Sequence, residues 1–433
     1  MTPSMAESKS SSTVRETNIE LVATDEEIRT LRNVPDRLPG RVWLACLIAA
    51  AERCSFYGSQ ALFQNCMQYG PNDEIPGILG LGQSAASSIN YAFTGTVYLL
   101  PIFSGVIADG WLGRYRTIVW ATGIYVIGLG ILMGCTLPPA LRAGAGPPGF
   151  VIALVLIAVG LGGCQSTIVP FIADQYEEHA FRVKVTKQGE RLEAHGRRVP
   201  WDEDFHSQIC TGFRAIKVCC TWPVLWLCIG HASSNGISQA GQLNTMGIPN
   251  DAIKSSNAIA VIILGIVVQK LLYPYLERRK IAFRPMARIW VGLWSMTLAL
   301  AYGTGVQGMI YASGPCYKFP LECNTPNGAR PTHINVLITL PMYVLIALAE
   351  IFAFVTGNEY AYKQAPKGMK SVVQSFYAIM ATVGSVLGIA LSPLSHNPYL
   401  VISWGVVTAI MFVTTCVFWI VFRRVTAGKE VVG

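Results

Sequence analysis

Apolar residues come along this chain in long blocks set apart by short polar stretches. Ten blocks stand out, roughly 42–65, 84–108, 115–136, 149–174, 216–240, 256–276, 286–312, 334–357, 371–393 and 398–422. About 20 helical residues cross the hydrocarbon of a bilayer. In lipid the backbone must satisfy its own polar groups, so each block reads as a membrane-spanning helix. Residues 1–40 are polar and rich in Ser, Thr and Glu, which predicts a disordered tail and not a secretory signal. Small residues interrupt several blocks, as in Gly160-Leu161-Gly162-Gly163. Such positions let membrane helices approach closely or bend around a cavity.

Composition sharpens this picture. Of 433 residues, 52% are hydrophobic and 13% charged, against roughly a quarter charged in soluble domains. A soluble enzyme is therefore excluded, and no metal or nucleotide motif appears, so no cofactor is expected. The net charge of +8 does not mark a nucleic-acid surface, because it lies in alternate loops. One side holds Arg37 and Arg41, Arg114 and Arg116, Arg182 through Lys217, Arg278 to Arg284, Lys363 to Lys370, and Arg423 to Lys429. The other holds Arg142, Lys254, Lys318 and Arg330. By the positive-inside rule both termini are cytoplasmic, as expected of a multi-pass protein of the plasma membrane. Most of the twelve cysteines lie within spans as apolar fillers. Cys316 and Cys323 share an outer loop, where they are either disulfide-bonded or two free thiols.

Charges inside spans point to function, because an ionised side chain at bilayer depth costs about 2.5–3.5 kcal/mol even on lenient scales and so lines a cavity or finds a partner. Three places qualify: Glu52-Arg53, Glu350, and His231 with Asn235, Ser238 and Gln239 in the same block. Each has a plain alternative: a structural pair tying helices, a carboxylate satisfied by a neighbour, a hydrogen-bonded packing histidine. Taken together, a permanent cation at Arg53 and a carboxylate at Glu350 suit the two ends of a zwitterion. In the segment Gly105 to Thr117, Asp109 closes one span and Arg114 opens the next. Such a charged hairpin either latches a helix end in one conformation or merely sets topology.

Several segments resemble the proton-dependent oligopeptide transporter family, in its fungal branch. They are Glu52-Arg53-Cys54-Ser55-Phe56-Tyr57-Gly58, Gly105 to Thr117, Ile172-Ala173-Asp174-Gln175-Tyr176, Ser238-Gln239-Ala240-Gly241 and Gly247-Ile248-Pro249-Asn250-Asp251. Leu345 to Glu350, Gly357 to Tyr362 and Ala365 to Ser371 complete the set. The resemblance covers nearly all of residues 42–425. It implies an all-α membrane protein of the major facilitator type, normally twelve helices in two halves, that moves di- and tripeptides with protons. It further implies that Arg53 holds the peptide carboxylate, Glu350 the amine, and that Tyr57 and Tyr98 line the pocket. Glu52, Glu350 and His231 are the candidate proton carriers, and Asn235 is a further candidate contact to substrate.

Three departures qualify that reading. The family's Glu-x-x-Glu-Arg motif has Ala49 in place of its first Glu, and a Lys expected in the fourth span is replaced by Gln165. Those positions form the family's proton-linked charge pair; losing both leaves no orphan charge but removes a switch. Third, the fourth span runs through Thr186 to Arg191 into His195-Gly196-Arg197-Arg198-Val199-Pro200-Trp201-Asp202, which resembles the family's central loop. Helices five and six are missing, leaving about ten spans. The expected organisation is a tail (1–40), a four-span bundle (41–176), a cytoplasmic connector (177–215) and a six-span bundle (216–425). Partners are small peptides, protons and the bilayer, with coupling to protons weakened. The alternative is a truncated, non-transporting derivative that binds a solute or a partner.

Overall fold

The computed structural model describes residues 40–73, 75–174, 193–194, 197–198, 220–280, 283–314, 316–320, 332–364 and 370–426. The expected tail and most of the expected connector therefore lie outside the described residues. Ten long helices account for nearly everything else: α1 Gly40–Gln68, α2 Gly82–Ile107, α3 Arg114–Cys135, α4 Gly146–Asp174 and α5 Trp222–Gly241, followed by α6 Ser255–Val267, α7 Pro285–Ala312, α8 Leu340–Ala349, α9 Lys370–Leu391 and α10 Leu400–Thr426. Each of the ten apolar blocks becomes one helix. α5 begins at Trp222, and residues 216–219 of the block expected there lie outside the described residues. Residues Glu193–Ala194 and Arg197–Arg198 form a two-residue antiparallel pair between the two groups of helices.

Eight of these helices, with their extensions, are long and apolar enough to cross a membrane. The two that fall short are α1 and α5. They carry Glu52 and Arg53, and His231, Ser234, Asn235, Ser238 and Gln239. Their polar residues lower their hydropathy, as suits helix faces turned to protein and not to lipid. α5 shows this most clearly, since fourteen of its twenty residues are buried.

Two hydrophobic clusters hold the helices together. One draws on α1 to α4, with Phe56, Phe63, Met67, Phe93, Tyr125, Phe150 and Ile157 at its centre. The other draws mainly on α5, α7, α8 and α10, around Trp222, Leu293, Met296, Met342, Tyr343 and Trp404. The glycine run of α4 works as its composition predicts. A Cβ on Gly160 would stand 2.7 Å from Tyr125, one on Gly162 2.4 Å from Leu100, and one on Gly163 2.5 Å from Ala121. Gly160 and Gly163 thereby set one face of α4 against α3, and Gly162 sets another against α2, almost backbone to side chain.

Three helices continue through π turns, at Ala108–Leu112 after α2, Val268–Leu272 after α6 and Glu350–Val355 after α8. The last widens α8 at the carboxylate singled out above, a distortion common at functional sites. Gly292 on α7 makes room for it, since a Cβ there would lie 2.6 Å from the backbone nitrogen of Ala353. The hairpin is as expected: Asp109 lies in the first π turn and Arg114 begins α3, with Gly113 between them at φ 75°. The side chain of Asp109 lies outside the described residues. Cys316 is disulfide-bonded; Cys323 lies outside the described residues.

On α1, Trp43, Leu44, Leu47 and Ile48 are exposed, and on α6 so are Ile259, Ile262, Ile263 and Ile266. Those apolar faces belong to the chain's contact with lipid.

Candidate functional site

Arg53 and Tyr57 stand one turn apart on α1, so they share a face. The guanidinium Nε of Arg53 lies 2.9 Å from Oε2 of Glu52. This is a charge pair and not an aligned hydrogen bond, because neither oxygen of Glu52 receives a donor. The Arg53 side chain remains 32% exposed, so the cation still faces open space. Its other flank rests near the Phe56 ring, 6.0 Å from the centroid.

Across the cleft, Glu350 begins the π segment of α8 and accepts a 3.0 Å hydrogen bond from Nδ2 of Asn257 on α6. The two sides meet. Tyr57 lies within electrostatic reach of Arg53, Glu52 and Glu350 together. Tyr98 on α2 is within reach of Tyr57, Arg53 and Glu350 as well. Yet Tyr57 is 53% exposed, so the space between the charges is accessible. Aromatic rings close one wall. Tyr98 packs at a tilt against Trp226, centroids 4.6 Å apart, and Trp226 meets Phe354 at 5.1 Å and Tyr377 at 6.0 Å. The indole nitrogen of Trp226 is buried with no acceptor.

Asn235 and His231 are elsewhere. Asn235 is fully buried, and all four of its hydrogen-bonding positions are used. Its amide donates to Nδ1 of His231 at 3.0 Å and to Oγ of Ser395 at 3.1 Å. Its carbonyl accepts from Nε2 of Gln83 at 3.1 Å and Oγ of Ser87 at 3.4 Å. In this conformation Asn235, expected as a contact to substrate, is the hub of a seam between α5 and α2. His231 is buried, rests edge-on against Trp404 at 4.6 Å, and has no partner at Nε2. Neither residue reaches the Arg53–Glu350 cleft.

The seam runs along the end of the molecule that carries the loops after α1, α5 and α9. Asn65 and Asn250 exchange hydrogen bonds of 2.8 and 3.1 Å. Gln64 reaches Ser238 at 3.5 Å, Asn90 reaches Ser234 at 3.0 Å, and Ser84 reaches the carbonyl of Ser392 at 2.8 Å. Below it α2 and α9 pack directly: a Cβ on Gly388 would stand 2.2 Å from the Tyr91 ring. Every partner here is a neutral amide or hydroxyl. Such contacts hold two surfaces together with modest energies, about 0.6 kcal/mol each on average within membranes.

Asn257, Lys254, Trp226 and Tyr377 were missed in the sequence. Lys254 was assigned to an outer loop because the apolar block begins near residue 256. The structure instead puts it in the turn Ala252–Lys254 that runs straight into α6, within electrostatic reach of Glu350. A signal existed: Lys254 and Asn257 are three residues apart, one face of a helix extended back by a single turn.

The family model described as the POT family matches residues 115–188 and 189–410, two pieces that abut where helices five and six were found missing. The chain belongs to the POT family. A peptide transporter of Candidozyma auris, PTR_B, is 31% identical over 497 residues, covering 93% of this chain and 85% of that protein. That alignment is longer than the whole chain, so this POT-family relative carries residues that the chain lacks. The peptide transporter imqD of Aspergillus flavus is 32% identical over 435 residues, covering 98% of this chain and 96% of its own length; a POT-family protein can therefore have nearly this length. The crystal structure of an auto-inhibited POT family peptide transporter superposes with a TM-score of 0.66 at 18% identity, covering 89% of this chain and 97% of that one. It shares the major facilitator-type helical fold.

Proposed function

We propose that this multi-pass membrane protein transports small peptides, binding them in the cleft between Arg53 and Glu350. The observation that carries this reading is the meeting of opposite charges from separate groups of helices around one accessible space. Arg53 offers a planar donor pair to a carboxylate. Glu350 with Asn257 offers acceptors to a cation. Tyr57 and Tyr98 span the gap, and the aromatic wall takes a side chain.

The helices α1–α4 and α5–α10 act as two bundles that rock about this site. The Lys/Arg bias supports cytoplasmic termini, which makes the hydrogen-bonded seam the outer gate, here shut, and the cleft accessible from the cytoplasm. Labelling with an impermeant thiol reagent checks this: single cysteines in 314–332 react from outside and those in 190–205 do not, in cells expressing the chain at the plasma membrane.

Proton coupling is weak in this reading. Ala49 packs among Ala121, Cys164 and Ile168, and Gln165 has a buried carbonyl with no partner. No charge at either position can switch between states, and a proton-driven cycle needs a group whose charge differs between them. Glu52 and Glu350 are the carriers left at the cleft. The test is uptake of a labelled dipeptide and its N-acetyl form into vesicles holding the purified chain, with and without an inward proton gradient. Uptake that saturates but changes less than about twofold with the gradient supports the reading. Steep gradient-driven accumulation refutes weak coupling, and no uptake at all refutes transport.

A further inference from the structure

The far end of α6 carries a groove that has no part in the cleft. α6 runs on through the π turn Val268–Leu272 into a last helical stretch, Tyr273–Arg278. Pro274 suits that turn: it has no N–H for the carbonyl of Lys270, and in a regular helix its ring would crowd that carbonyl. The wider turn, in which the N–H of Tyr273 bonds the carbonyl of Val268, goes with a notch in the helix surface. Val267, Leu271 and Pro274 line the notch with apolar surface, and Lys270, Tyr275 and Arg278 bring polar ends to it.

This side of α6 meets the bilayer. The helix packs against α8 and the π segment that follows α8, and few of its residues are buried. Ile259, Ile262, Ile263 and Ile266 are exposed, and Val267, Lys270 and Leu271 continue the exposed side at spacings of three and four residues. An acyl chain thus has an apolar track that leads to the groove. The two cations stand where a headgroup lies. Lys270 comes eight residues before Arg278, about 12 Å farther along the helix into the bilayer. Its long stem lets the ammonium rise toward the interface and Arg278. A cation at that depth on a lipid-facing side is costly without an anion. The protein supplies none: among the described residues neither cation has a carboxylate partner, and Glu277 does not line the groove.

We propose that this groove binds an anionic phospholipid of the cytoplasmic leaflet, its phosphate between Lys270 and Arg278 and one acyl chain along the isoleucines of α6. The leaflet follows from the Lys/Arg bias, and the site does not depend on what the cleft takes. It bears on the cleft all the same. α6 also carries Asn257, whose amide holds Glu350 at 3.0 Å, and the lipid braces the exposed side of that helix.

The test is photo-cross-linking of the purified full chain in phosphatidylcholine nanodiscs that hold a trace of phosphatidylserine with a diazirine in its acyl chain. In the wild type the label should fall on residues 259–267. Unlabelled phosphatidylserine should compete about 25-fold better than phosphatidylcholine, because two basic residues at a membrane surface are worth roughly fivefold each toward an anionic lipid. Lys270→Gln with Arg278→Gln should remove that preference, and Lys270→Arg should keep it. Arg279→Gln with Lys280→Gln takes the same charge from the same end of the helix. Arg279 rests over the Tyr275 ring at 5.6 Å and neither residue lines the groove, so this variant should keep the preference. Equal loss in the two double variants overturns the site and leaves only a general attraction of basic loops to anionic lipid. An unchanged preference without Lys270 and Arg278 overturns it too, as does label spread over α1 and α6 alike. Displacement of the label by inorganic phosphate assigns the groove to a free anion and overturns the lipid.

Discussion

Replacing Asn235 by Leu tests the shut seam directly. Leu keeps the branched shape of Asn but is bulkier, so the change removes the hydrogen bonds and its added volume pushes the packed seam apart in the same direction. Two of the four bonds cross between helix groups, from Gln83 at 3.1 Å and Ser87 at 3.4 Å; the other two stay beside α5, at His231 and Ser395. Only the crossing pair differs between a shut and an open seam. At about 0.6–1.7 kcal/mol per hydrogen bond inside a membrane, its loss moves the balance by about 1–3 kcal/mol, a factor of about 5–150. The estimate is a floor for Gln83, whose amide is then buried without its partner. The reporter is a cysteine pair at Asn65 and Asn250, which exchange hydrogen bonds further along the same seam. In the otherwise native chain Asn65→Cys with Asn250→Cys should form a cross-link quickly under mild oxidation. Adding Asn235→Leu should slow it in proportion to the lost shut population. A cross-linking rate that does not change would mean that the seam is held by packing at Gly388 and Tyr91, and that Asn235 is a passive core amide.

Two further outcomes follow from the geometry. Arg53→Ala should weaken binding of a peptide with a free carboxylate by about 1.5–3 kcal/mol, the worth of a hydrogen bond to a charged group, and should barely affect its methyl ester; equal losses for both, in a titration of the purified chain, would make the Glu52–Arg53 pair structural. Gly162→Ala places a methyl 2.4 Å from Leu100 and should destabilise the α2–α4 contact by about 1–3 kcal/mol, as overpacked cores do, read as a lower melting temperature in detergent, while Gly130→Ala, inside α3 with nothing within 4 Å, should leave it unchanged or slightly raised, because Ala favours the helix.

The ten helices and their rough ends were legible in the sequence, because the bilayer asks for a fixed length of apolar helix and the chain must meet it locally; that α1 and α5 are too polar to pass as spans by hydropathy alone was not. The charges that matter were legible for a related reason: Glu52, Arg53 and Glu350 stand out only because lipid makes a charge so costly. The absence of two helices was visible as well, in a central-loop-like segment that follows the fourth span too early. What the sequence could not settle was which polar residues meet. Asn235 and Arg53 look alike along the chain, each a polar residue in an apolar block. The crossing of α2 and α5 gives the first a full set of partners in a seam, while the position of α1 leaves the second facing a cleft. Lys254 shows the limit most plainly. Hydropathy placed it in a loop, since one lysine at the edge of a block ends the apolar signal. The helical turn itself starts earlier, because backbone hydrogen bonding does not stop where hydrophobicity does, and that one turn brings Lys254 within electrostatic reach of Glu350. Sequence fixes what each residue can do within its own helix; which groups face each other depends on how ten helices cross, and only the tertiary structure decides that.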